Sequence, residues 1–246
     1  WQGELGLEPT FQLYIQHLIQ IFDEVKRVLK PTGTCWVNLG DSYSGSGCGT
    51  NDYRTEKNRS IQGIGKNVGL YKTGGIAQKI KDVSAKSLIQ IPYRFSIAMC
   101  DRNWILRNLL IWHKPNCMPS SVKDRFTVDY EPIFFFVKSK RYYFQQQFEP
   151  HLWADRDKRS QKHWAKNKAK SGKMIEQRYS MGQVSYGKEG RNKRCVWKIP
   201  TVPFSGAHFA AYPEELCIIP IKAGCPEGGI VLDPFAGAGT TCMVAK

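Results

Sequence analysis

No apolar run in this 246-residue chain approaches the ~20 residues that a membrane-spanning helix needs, although hydrophobic residues make up 41% of it. The first ten residues, W-Q-G-E-L-G-L-E-P-T, carry neither a basic segment nor an apolar signal core, so nothing there indicates secretion. Paired cysteines are missing as well. The eight present (35, 48, 100, 117, 195, 217, 225 and 242) are scattered, with no C-x-x-C pair. Zinc ligands cluster at short spacing, so no metal site is assigned, and thiols in a reducing cytosol are the better account. Acidic residues are in deficit: 21 Asp and Glu stand against 36 Lys and Arg, for a net charge of +15. An excess of that size favours a polyanionic partner.

The length suffices for one large α/β domain with room for an inserted module. The positive charge is concentrated. Residues 156–194 hold thirteen Lys and Arg against Asp157, Glu176 and Glu189, which leaves +10, two thirds of the whole excess. Trp164, Tyr179 and Tyr186 interleave with few aliphatic residues. A solvated loop and a nucleic-acid surface both fit that pattern, and the two are compatible.

Around this stretch the periodicity alternates between helix and strand. Pro9 and Thr10 open a helix whose apolar positions run from Phe11 to Leu29, with Lys26, Arg27 and Lys30 suiting its C-terminal end. Pro31-Thr32-Gly33 is a turn, and Thr34–Leu39 a short buried strand that ends at Gly40-Asp41-Ser42-Tyr43. Residues 44–82 read as loop. A helix is expected at about 84–100, and strands at Trp104–Trp112 and Pro132–Val137, with Tyr142–Phe144 extending a hairpin. Cys195–Ile199 should return to the core as a strand. His208–Cys217 should enter a helix with Pro213 in its first turn. Such alternation means a parallel or mixed α/β sheet, with 145–194 as a separate reading module.

The densest signal is I-V-L-D-P-F-A-G-A-G-T-T, from Ile230 to Thr241. It reads as a buried parallel strand that breaks into a glycine loop and opens a helix. Ligands of open α/β sheets bind beyond the carboxyl ends of strands, and glycines there permit close backbone approach. A phosphate-cradling P-loop is excluded, since Thr240 follows Gly239 where a lysine is needed. A dinucleotide fingerprint is excluded because Cys242 stands where the third glycine would fall.

The nonapeptide D-P-F-A-G-A-G-T-T resembles the AdoMet-binding motif of amino-methylating DNA methyltransferases. Other segments are similar to the permuted, β-group members, which place the catalytic half before the AdoMet half. They are V-K-R-V-L-K-P-T-G-T-C-W-V-N-L-G-D-S-Y at 25–43, I-P-Y-R-F-S-I-A-M at 91–99, and W-I-L-R-N-L-L-I-W-H-K-P-N at 104–116. P-F-S-G-A-H-F-A-A-Y-P-E-E-L at 203–216 looks like the family's motif X, beside the cofactor. The likeness covers most of the chain and is weakest at 145–194, as expected of a target-recognition region.

The resemblance implies a Rossmann-like methyltransferase sheet in circularly permuted order. Residues 1–144 would be the catalytic half, 145–194 the basic target-recognition insert and 195–246 the AdoMet-binding half. It implies methyl transfer from S-adenosyl-L-methionine to N4 of cytosine or N6 of adenine in double-stranded DNA, the base being flipped out of the duplex. A cytoplasmic, prokaryotic or phage-encoded enzyme of a restriction-modification system is expected, with no membrane association. By motif position Asp233, Pro234, Phe235, Ala236, Gly237, Gly239, Thr240 and Thr241 would form the cofactor loop. His208, Phe209 and Ala210 would pack against the cofactor, and Asp41 would face the same cleft or cap a turn. Candidate DNA contacts are Lys114, Arg125, Arg141, Lys158, Arg159, Lys162, Lys166, Arg191 and Arg194. The family's catalytic tetrapeptide, Asp/Ser/Asn-Pro-Pro-aromatic, occurs nowhere in this sequence, so no catalytic residue is assigned. Family order would put it before Trp1, so the resemblance implies an internal segment that is not expected to be a competent catalyst by itself. Competing readings are a non-catalytic nucleic-acid-binding protein that keeps the fold, and an RNA methyltransferase.

Overall fold

The structure is a computed structural model that describes residues 5–44, 83–150, 190–202 and 212–246. Ten elements follow one another: α1 (Phe11–Val28), β1 (Thr34–Asn38), α2 (Ile91–Asp101), β2 (Ile105–His113), β3 (Tyr130–Val137), β4 (Phe148–Glu149), β5 (Arg191–Asn192), β6 (Val196–Lys198), α3 (Glu215–Gly224) and α4 (Thr240–Ala245). No helix among the described residues is long and apolar enough to cross a membrane.

Four strands form a mixed sheet in the order β1-β3-β2-β6. β3 is antiparallel to both β1 and β2, while β6 is parallel to β2. The carboxyl ends of β1, β2 and β6 therefore share one edge of the sheet. The central strand β3 explains its own sequence. Its run Ile133-Phe134-Phe135-Phe136-Val137 is buried on both faces, and successive side chains alternate between them. Phe134 and Phe136 join Leu18, Ile19 and Phe22 of α1, Phe95 and Met99 of α2, and Cys35 and Val37 of β1. Ile133, Phe135 and Val137 turn the other way, to Leu110, Trp112, Trp197 and to Leu216 and Ile219 of α3. The result is a helix–sheet–helix sandwich. Trp36 stacks on Phe135 across this second face with ring centroids 4.1 Å apart.

Several expected elements keep their place. Thr10 caps α1, its hydroxyl oxygen accepting from the Leu13 N–H at 3.2 Å, as an N-cap threonine should. Others move. α2 begins at Ile91 rather than near 84, because Ser87 and Ile89 give their N–H groups to Ser84 and Ser42 instead of to a helix. Tyr142–Phe144 forms no hairpin strand: Tyr143 N–H bonds Thr32 O, and the pairing falls later, between β4 and β5. That two-stranded stem is where residues 151–189, outside the described set, leave and rejoin the fold. α3 starts at Glu215, two residues after Pro213, and continues past Pro220 to Gly224.

The largest correction concerns Ile230–Leu232. The buried parallel strand expected there is absent, and Ile230 is 84% and Leu232 61% exposed. A strand exists only through a ladder with a neighbour, and among the described residues none lies beside this segment. α3 ends where Gly224 meets the start of β1, and a Cβ on Gly224 would collide with Thr34 Oγ1 and lie 2.8 Å from Trp36 Nε1. The chain then turns and runs back until Asp233 reaches Tyr212, just ahead of α3. Asp233 thus stands at the carboxyl edge of β1, β2 and β6.

Candidate cofactor and nucleic-acid site

Asp233 organises the glycine loop. Its Oδ1 accepts the Phe235 N–H at 2.9 Å, two residues on, which is the bond by which an aspartate shapes its own turn. Its Oδ2 accepts from Thr241 Oγ1 at 2.6 Å and from the Tyr212 hydroxyl at 3.1 Å. Tyr212 and Thr241 also lie 2.7 Å apart, and Cys217 Sγ is 3.6 Å from Thr241 Oγ1. Burial and the charge of Asp233 push the Tyr212 hydroxyl above its ordinary value of 10.0, against the hydrogen bond from Thr241. It therefore stays a donor at neutral pH. Burial also raises the Cys217 thiol, and it pushes the fully buried Cys35 up to about 12, so both are poor nucleophiles.

Downstream, Gly237 and Gly239 adopt φ of 51° and 81°, the left-handed region that favours glycine. Gly239 N–H closes the turn onto Ala236 O at 2.7 Å and leads into α4 at Thr240. Nothing lies within 4 Å of where a Gly239 Cβ would stand, so the loop is open to an approaching ligand. Pro234 and Leu232 flank a groove against Ile21, Val25 and Val28 of α1, and the Phe235 ring lies 6.3 Å from that of Phe22. A carboxylate with unused acceptor capacity beside an open, positive-φ glycine turn suits a ligand that presents an amine. His208, Phe209 and Ala210 lie outside the described residues.

Asp41 sits at the carboxyl end of β1, and its Oδ1 accepts from Ser42 N–H at 2.8 Å and Ile91 N–H at 3.0 Å. It caps the start of α2. Its Oδ2 is buried without a partner among the described residues. Nearby Tyr43 lies under Arg125, whose guanidinium is 3.5 Å from the ring centre. Lys86 pairs with Asp124 at 2.7 Å and so tethers the loop after β2. Lys114 bonds Glu131 and sits 4.3 Å over the Trp112 ring, so its charge is already partnered.

The candidate DNA contacts divide between two edges. Lys114 and Arg125 belong to the carboxyl edge, with Asp41 and Asp233. Arg141 follows β3, and Arg191 and Arg194 precede β6, which puts all three at the opposite edge. There Arg191 and Arg194 converge on Glu149 at 2.8 and 2.6 Å. Burial pushes Glu149 up, but the bond from Arg194 and both positive charges outweigh it and hold the carboxyl below 4.5. This cluster braces the β4–β5 stem. Lys158, Arg159, Lys162 and Lys166 are outside the described residues.

Sequence reasoning missed Tyr212, since no spacing rule links it to residues 21 and 29 positions away. It also missed the Asp41–Ile91 cap, whose partners are separated by the long segment 44–82.

A model of the DNA methylase family, N6_N4_Mtase, matches residues 2–246. The chain is 34% identical over 244 residues to the type II methyltransferase M.SmaI of Serratia marcescens, spanning 99% of itself and 70% of that protein. Its structure resembles the cytosine-N4-specific PvuII DNA methyltransferase with a TM-score of 0.57 at 16% identity, covering 100% of this chain and 66% of that one. A Thermus thermophilus protein solved with S-adenosyl-L-methionine matches with a TM-score of 0.50 at 17% identity, over 100% of this chain and 72% of that one. At such identities these two likenesses are of fold alone.

Proposed function

This chain belongs to the DNA methylase family, the AdoMet-dependent DNA amino-methyltransferases, and from that premise we propose that its carboxyl edge is the cofactor and DNA face of a site-specific enzyme. The product is a methylated exocyclic amine, N4 of cytosine or N6 of adenine. The observation that carries the reading is the Asp233–Gly239 loop, fixed by hydrogen bonds to Phe235, Tyr212 and Thr241 and open above Gly239.

Bound S-adenosyl-L-methionine supplies the methyl group. Asp233 receives the amino group of its methionine part, and Gly237 and Gly239 let the backbone come close. Phe235, Ala236 and Thr240 line the same turn, with Pro234 and Thr241 shaping its two ends. His208, Phe209 and Ala210 pack from the neighbouring segment, and Asp41 borders the cleft. Arg125 offers a cation to DNA at this edge, and Arg141 does so beside the basic insert with Lys158, Arg159, Lys162 and Lys166, whereas Lys114, Arg191 and Arg194 are held in ion pairs with Glu131 and Glu149. The target amine lies inside the duplex, so the base must be extruded before transfer. Residues 1–144 form the catalytic half, 145–194 the target-reading insert and 195–246 the cofactor half. The relative from Serratia marcescens is bacterial, and a bacterial enzyme of this class works in the cytoplasm.

The test is transfer of tritiated S-adenosyl-L-methionine to DNA by the full-length protein, followed by mass spectrometry of the nucleosides. Label in N4-methylcytosine or N6-methyladenine is expected. Measurable cofactor binding with no label in any DNA would overturn the reading in favour of a non-catalytic binding protein.

A further inference from the structure

The hydroxyl cluster at Asp233 contains more contacts than protons. Tyr212 and Thr241 have one hydroxyl proton each, yet three short contacts join them to each other and to Oδ2. The two shortest, 2.7 and 2.6 Å, describe a relay in which Tyr212 donates to Thr241 and Thr241 donates to Asp233. The remaining 3.1 Å contact is then the weaker one. Chained hydroxyls polarise one another and strengthen the last bond.

The relay has a consequence for Asp233. An ionised carboxylate offers about four acceptor positions. Thr241 donates to Oδ2, the Tyr212 oxygen crowds that same atom from 3.1 Å, and Phe235 N–H takes one position of Oδ1. The uncrowded position is the second one on Oδ1. Tyr212 is well placed to hold this arrangement. It precedes Pro213, which confines its backbone to extended conformations, and Pro213 is itself buried at the entry to α3. Thr241 lies on α4, beyond the glycine turn. The hydroxyl of Tyr212 therefore ties the segment ahead of α3 to both ends of the glycine loop.

We propose that Tyr212 is a positioning residue for the cofactor: through Thr241 it fixes the Asp233 carboxylate so that a single Oδ1 position faces the amino group of the ligand. The proposal rests on the cofactor reading given above. It assigns amine recognition to a three-residue unit rather than to Asp233 alone. Removing the Tyr212 hydroxyl leaves Asp233 in place but frees the carboxylate to rotate. The loss should fall on amine recognition.

The experiment compares two ligands, S-adenosyl-L-homocysteine and its analogue with the amino group replaced by hydrogen, 5′-deoxy-5′-(3-carboxypropylthio)adenosine. Dissociation constants are measured by calorimetry on the wild-type protein and on Tyr212→Phe, Thr241→Val and Thr241→Ser. Tyr212→Phe and Thr241→Val should weaken the amino-bearing ligand about fivefold or more, consistent with loss of one hydrogen bond to a charged group. Neither should change binding of the deaminated ligand. Thr241→Ser keeps the relay and should behave as wild type. In turnover by the full-length protein, Tyr212→Phe should raise KM for the cofactor and leave kcat within about twofold, as loss of uniform binding does. Equal weakening of both ligands, or none, in Tyr212→Phe would overturn the proposal while cofactor binding by the wild type stands. Failure of the wild type to bind either ligand would instead overturn the cofactor reading itself.

Discussion

Asp233 cannot be exchanged for its neutral isostere without conflict. Asparagine places an NH2 either against the Phe235 N–H or against the Thr241 hydroxyl that now donates to Oδ2. Asp233→Asn should therefore lower cofactor affinity by at least about tenfold, the cost of an unmade charged hydrogen bond, read by calorimetry. Two glycines should behave differently from one another. Gly239 has φ +81° in open space, so Gly239→Ala carries only backbone strain, about 1–2 kcal/mol. Gly224→Ala drives a methyl into Thr34 and Trp36, an overpacked contact costing about 1–3 kcal/mol and displacing α3 from β1. Urea unfolding of both variants gives the stability changes. For Gly224→Ala a weakened Trp36–Phe135 stack should also show in near-UV circular dichroism, whereas Gly239→Ala should leave that signal alone.

At the level of elements, the N-terminal segment is fastened to α1 by one buried carboxylate. Glu8 is 7% exposed and accepts from Gly6 N–H at 2.7 Å and from His17 Nδ1 at 2.8 Å. Burial pushes its pKa up, but the His17 and backbone hydrogen bonds outweigh that and hold it below 4.5. A depressed native value stabilises fully above the unfolded value and is lost as pH falls through the folded one. Melting temperature should thus fall as pH drops below about 4.5, and Glu8→Gln should flatten that part of the profile. Parallel profiles for wild type and variant would assign the acid loss elsewhere. The amphipathic α1, with its cap at Thr10, and the doubly buried β3 were legible because their signals are local: a 3.6-residue or continuous apolar pattern with matching ends. The start of α2 was not, because Asp41 sets it from across residues 44–82.

For the whole molecule, the charge of +15 predicts a strongly salt-dependent association with DNA. Raising salt from about 50 to 200 mM should weaken binding by several orders of magnitude if six or more phosphates are contacted, as measured by fluorescence anisotropy. The two edges of the sheet should differ in that assay. Arg125→Ala, over Tyr43 at the carboxyl edge, should weaken productive binding and raise KM for DNA. Arg194→Ala leaves Arg191 on Glu149 and should chiefly loosen the β4–β5 stem. The two edges came from topology alone: β3 runs against its neighbours, so basic residues that follow one another in sequence emerge at opposite ends of the strands.

The sequence by itself determined the family, the cofactor class and the glycine turn between Asp233 and Thr241, because such a turn is written in consecutive residues. It also determined the two-faced β3 and the helices that cover it, since burial imposes a short period on neighbouring positions. Only the tertiary structure decided that Tyr212 and Thr241 grip one oxygen of Asp233, and that Lys114 is spent on Glu131 and Trp112. The same is true of Ile230–Leu232, whose strand-forming residues find no ladder among the described residues. Hydrogen bonds between distant residues and pairing between strands depend on what folding places alongside, and no local pattern encodes that.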